Sequence, residues 1–154
     1  MSTRRLLRYA TLTSLVLAVA GCATAPSAPA STPAPASFAD QVASGQTLYG
    51  QNCASCHGAS GQGDKAPRLV GLKEGALPLD PPADRKYRKG QFVTVADVAA
   101  FVVANMPPKK PGEPATSLAG DQYWAILAFD LHANGVDLPA PLTPAMAATL
   151  TIPR

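Results

Sequence analysis

The 154-residue chain is short of the side chains from which most metal and redox sites are built, with three cysteines and two histidines. Two of the cysteines and one histidine fall within five residues, Cys53-Ala54-Ser55-Cys56-His57, and only Cys22 and His132 remain outside that stretch. A structural zinc site needs a second pair of ligands, which Cys22 and His132 do not supply. A thioredoxin-like dithiol needs a βαβ setting, and the flanking sequence has none. Charge is also scarce, with charged residues making up 15% of the chain. The formal net charge of +3 comes from 13 basic and 10 acidic residues, and Arg4, Arg5 and Arg8 lie in an N-terminal leader. Without that leader ten residues of each sign remain. A neutral chain gives no basis for nucleic-acid binding.

What is present in the five-residue stretch is specific. Two thiols three positions apart, followed at once by an imidazole, form the attachment signature of c-type haem. On one helical turn the sulfurs of Cys53 and Cys56 are close enough to form thioethers to the two vinyl groups of one porphyrin, and His57 follows as an axial ligand to the iron.

Haem is attached in this way outside the cytoplasm, and the N-terminus reads as an export address. Arg4, Arg5 and Arg8 form a positive region, and Leu12 to Ala20 a short apolar one that ends in Val19-Ala20-Gly21-Cys22. This is the pattern of a signal peptide over residues 1–21, too short to span a bilayer as a mature helix. Its last four residues resemble a bacterial lipobox, which makes Cys22 the expected lipidated N-terminus; the alternative is an ordinary cleaved signal with a stray cysteine. Residues 22–37 read CATAPSAPASTPAPAS, without an aromatic or large aliphatic side chain, and are expected to form an extended linker. At about 3 Å per residue it reaches at most roughly 50 Å from a lipid surface. Residues 38–154 are the length of one domain.

Within that domain the spacing of Phe38, Val42, Gly45, Leu48 and Tyr49 predicts a helix from Phe38 to Cys56, and Gly45 predicts a close crossing by another helix. Gly58, Gly61 and Gly63 open a loop, and residues 71–90 are loop-rich. Thr94 and Asp97 resemble a capping box for a helix ending near Asn105, before Met106-Pro107-Pro108. A last helix is expected over residues 117–134, stopped by Asn134-Gly135. Nothing reads as a strand, so the fold class is all-α. For the second axial position the candidates are Met106, Met146 and His132. Met106 directly follows a helix, where Pro107 prevents helical continuation. Met146 lies in a Pro- and Ala-rich tail, and His132 is late in the last helix. The residue reading favours Met106 and leaves the other two open.

The ordered set Gly45-x-x-Leu48-Tyr49, Cys53-Ala54-Ser55-Cys56-His57-Gly58, Gly61-x-Gly63, Ala66-Pro67-Arg68-Leu69-x-Gly71, Met106-Pro107-Pro108 and Asn134-Gly135 resembles the small bacterial class I cytochrome c family. The resemblance runs from Phe38 to Leu138, with a long insert between Gly71 and Phe92 and a tail after Leu138 as departures. It implies the cytochrome c fold around one covalent haem c, with thioethers at Cys53 and Cys56, His57 proximal and Met106 distal. It further implies that the Pro67 carbonyl accepts the Nδ1 proton of His57, and that Gly45 and Tyr49 meet the last helix near Ala128 and Phe129. The implied function is electron carriage between redox protein partners on the periplasmic side of a bacterial membrane, not catalysis. An oxidase or dehydrogenase would be a natural partner. A fixed subunit of such a complex, or a haem enzyme or gas sensor with Met106 off the iron, are the competing expectations. Lys65, Arg68, Lys109 and Lys110 would flank the haem crevice as a docking ring or be ordinary surface residues. Arg85 to Lys89 is a second basic cluster, readable as a solvated loop or as a site for a propionate or partner.

Overall fold

The computed structural model describes residues 33–72, 79–81, 83, 88–108 and 118–153. Among these residues five helices follow in order, α1 (Phe38–Asn52), α2 (Ala54–His57), α3 (Val95–Asn105), α4 (Gly120–Ala133) and α5 (Pro144–Thr149). The described residues contain no strand, only an isolated antiparallel bridge between Thr94 and Thr151. None of their helices is long and apolar enough to cross a membrane. The all-α expectation holds.

Helix starts follow from local side-chain chemistry. Ser37 caps α1 by accepting from Asp40 N at 3.1 Å. At α3 the capping box is complete: Thr94 Oγ1 accepts from Asp97 N, and Asp97 Oδ2 accepts from Thr94 N at 2.8 Å and Val93 N at 2.9 Å. Those backbone donors hold the Asp97 carboxyl below its usual range. The single helix expected over 38–56 is two, because Cys53 leaves helical geometry at φ −120°, ψ −36°. Helix α2 carries the rest of the motif.

The core is built on the crossing of α1 with α4. At Gly45 the two backbones come so near that a Cβ would lie 1.9 Å from Ala125 O and 3.0 Å from Phe129 Cβ. One turn on, the rings of Tyr49 and Phe129 pack with centroids 5.1 Å apart. The expected meeting with Phe129 is present for both Gly45 and Tyr49, and the closest backbone approach lies at Ala125, one turn earlier, while Ala128 is fully buried in the core.

The tail after Leu138 is not an appendage. Leu142, Ala147 and Ile152 are buried in the same cluster as Val95, Val98 and Leu127. Gln41, a buried polar side chain, accepts from Leu142 N at 2.6 Å and donates to Leu142 O at 3.0 Å. Backbone bonds from Val95 N to Leu150 O and from Ile152 N to Val93 O fasten the tail to the start of α3. The missed helix α5 had a local signal, since Thr143 Oγ1 caps Met146 N and Pro144 occupies the first turn.

Gly45 and Gly50 share α1 but have opposite surroundings, because nothing lies within 4 Å of a Cβ at Gly50. Gly45→Ala is expected to destabilise the protein by about 3 kcal/mol through overpacking. Gly50→Ala should stabilise it by about 0.5–1 kcal/mol through helix propensity. Denaturant unfolding of the two variants checks the opposite signs.

Candidate haem site

The thiol–imidazole motif lies where α1 ends and α2 begins. Cys53 N bonds Tyr49 O at 2.8 Å, and Cys56 N and His57 N both bond Cys53 O, so the five residues form one compact turn. Gly58 ends α2 at φ +84°, a region costly for residues with a Cβ. Its carbonyl accepts from the buried Tyr49 hydroxyl at 2.9 Å. The loop then folds back on the motif, with Gly63 N bonded to His57 O and Ala66 N to Cys56 O.

This return brings the Pro67 carbonyl 2.7 Å from His57 Nδ1. A carbonyl can only accept, so the proton resides on Nδ1 and the lone pair on Nε2, the tautomer required of a ligand bound through Nε2. Asn134, expected only to end α4, holds the far side of the loop. Its Oδ1 accepts from Gly71 N at 2.8 Å and Leu72 N at 3.2 Å, and its Nδ2 donates to Leu69 O at 2.9 Å.

Met106 follows α3, its N–H bonded to Val102 O and its peptide bond to Pro107 cis. Its carbonyl accepts from the Tyr123 hydroxyl at 2.7 Å, which fixes the Met106 backbone to α4. The other candidates are otherwise engaged. His132 is exposed, with Nδ1 2.6 Å from Asp137 Oδ1, and Met146 packs against the hydrophobic core.

The two thiols are free. Burial, then the charge of Asp130, then Cys56, push the Cys53 thiol up to about 12. Reactive dithiols have depressed thiol pKa values, so this environment opposes a thioredoxin-like role. No cluster of three or more His, Cys, Asp or Glu suited to a metal ion occurs among the described residues. A donor set of two adjacent thiols and one oriented imidazole fits a covalently held haem.

Of the expected docking residues, Lys65 and Arg68 are exposed, and Arg68 Nε donates to Gln62 O. Lys109 and Lys110 lie outside the described residues, as do Arg85 to Tyr87 and Cys22. Arg88 belongs to the insert's own structure: it donates to Leu79 O and Gly90 O and stacks 3.8 Å over the Phe92 ring.

The family model for cytochrome c matches residues 42–132, more than half of the chain, which therefore belongs to the cytochrome c family. A covalently attached haem c and a role in electron transfer come with that membership. Among solved structures the chain is similar to the sulfane dehydrogenase SoxCD from Paracoccus pantotrophus, at 27% identity and a TM-score of 0.47. The match covers 73% of this chain and 53% of that one, so the chain spans about half its length. No curated protein matches.

Asn134→Ala removes three bonds to residues 69–72 and leaves partly buried backbone groups unpaired. The expected loss is about 3 kcal/mol of stability. Chemical denaturation of the haem-loaded variant checks it.

Proposed function

We propose that the chain is a periplasmic, membrane-tethered electron carrier whose haem is held at Cys53 and Cys56 and ligated at iron by His57 and Met106. The observation that carries the reading is the 2.7 Å contact of His57 Nδ1 with Pro67 O, which leaves Nε2 as a ready donor. When bound, the haem supplies a one-electron Fe(II)/Fe(III) couple. Pro67 orients the imidazole and raises its basicity. Met106 offers a soft thioether, which favours the reduced state, and Tyr123 steadies its backbone. With His57 on α2 and Met106 at the end of α3 both serving as iron ligands, small molecules would have no direct access to the iron, which makes the chain a carrier and not an enzyme.

The partners are a one-electron donor protein and a one-electron acceptor, of the kind found in a terminal oxidase or a periplasmic dehydrogenase. Such encounters use small interfaces. Cys22 at the end of the Val19-Ala20-Gly21-Cys22 stretch supports a lipid anchor, and the Ala/Pro/Ser linker would give the domain reach from the membrane surface.

Carbon monoxide tests the closed iron. The reduced native protein is expected to keep its absorption spectrum under carbon monoxide, and Met106→Ala to shift on binding it; a shift in the native protein would contradict the ligand set. Cys22→Ser is expected to move the cytochrome from the membrane fraction to the soluble periplasmic fraction, and unchanged partition would remove the anchor.

A further inference from the structure

Asp130 lies in α4 with Oδ1 buried and without a hydrogen-bond partner, the only buried side-chain nitrogen or oxygen so placed among the described residues. It borders a mainly apolar cleft lined by Leu72, Val95, Val98 and Leu127, with Asn134 the other polar side chain on its wall. The neighbouring amide cannot help it, because Asn134 is committed to Leu69, Gly71 and Leu72. The charged form of Asp130 is felt at Cys53 and Tyr49, whose thiol and phenol are both raised by it after burial itself. These are the titratable groups that face it from α1. Helix α3 presents Val95 and Val98 to the cleft, and the tail presents Ile152 and Pro153, none of which carries charge. The Tyr49 hydroxyl donates its hydrogen bond to Gly58 O and so is not directed to Asp130.

A carboxylate with one oxygen buried and unpaired in such surroundings is costly. Burial pushes the Asp130 carboxyl up to about 7. In the loaded protein Cys53 is a thioether, so the charge of this carboxyl acts on a point of haem attachment. The extra positive charge of the oxidised iron is then the compensating charge available to the carboxylate form. Reduction removes that charge and favours the protonated acid.

We propose that Asp130 is a redox-linked proton site, taking up a proton when the haem attached at Cys53 is reduced and releasing it on oxidation. The inference rests on the electron-carrier reading given above. The balance is one electron from a one-electron donor protein to the iron and one proton from water to an Asp130 carboxylate oxygen, with the charge of the site unchanged. Oxidation returns the electron to an acceptor protein and the proton to water. The residue as a whole is only half-buried, which gives water a route to the carboxyl. The chain would thereby couple electron carriage to proton uptake through a side chain rather than through the haem's own propionates.

Spectroelectrochemical titration of the haem-loaded protein from about pH 5 to about pH 9 tests this, with Asp130→Asn as the variant. The native midpoint potential is expected to fall as pH rises through the titration of Asp130. The variant should be flat over that window and lie above the native protein at the alkaline end. A redox-difference infrared spectrum of the native protein near neutral pH should show the stretch of a protonated carboxyl gained on reduction, absent from Asp130→Asn. A pH slope that survives unchanged in Asp130→Asn, or a native protein without the infrared change, overturns the inference. Should the variant fail to load haem, the infrared measurement on native protein still decides. Failure of the carrier reading has a different mark, carbon monoxide binding by the native protein.

Discussion

The approach of α1 to α4 at Gly45 is the contact on which the rest depends. Because nothing but a hydrogen fits between Gly45 and the Ala125 carbonyl, the two helices are locked in one register. That register stacks Tyr49 on Phe129 and aims the Tyr49 hydroxyl at Gly58, the residue that ends the haem-binding turn. The same helix α4 then reaches outward at both ends. Tyr123 near its start holds the Met106 carbonyl, and Asn134 after its end holds residues 69–72. One helix thus supports both residues proposed as iron ligands, His57 through the loop and Met106 directly.

The fold also explains why a chain with so few polar side chains inside can keep its site ordered. Backbone groups of the 58–71 loop are satisfied by the motif and by Asn134, so the loop needs no sheet or disulfide to hold it. The tail closes the opposite flank of α3, with Gln41 bonded to Leu142 across the core. Displacing the tail would expose Val95 and Val98 and loosen the helix that ends at Met106.

Much of this was legible in the residues. The haem motif, the all-α class, the glycine crossing and the Thr94–Asp97 cap were all readable, because each is a local pattern with one dominant physical cause. The break at Cys53 was not, since the apolar spacing runs on through a residue whose geometry is set by the turn that follows. The buried tail was hidden because its anchor, Gln41 to Leu142, joins residues 101 positions apart and leaves no periodic trace. Asn134 read as a helix stop, and its side-chain bonds depend on a loop more than 60 residues away. Asp130 interrupts an otherwise apolar run in α4, and a reading by hydrophobic faces passes over such a residue. A lone acid in an apolar helical stretch was the available signal.

The central claim is that His57 and Met106 together close the iron of a covalent haem and make the chain an electron carrier. The near-infrared absorption of the oxidised, haem-loaded protein tests it most directly, because a methionine sulfur bound to Fe(III) gives a weak band there. The account predicts that the band is present in the native protein; its absence would contradict the proposed ligand set and the mechanism built on it.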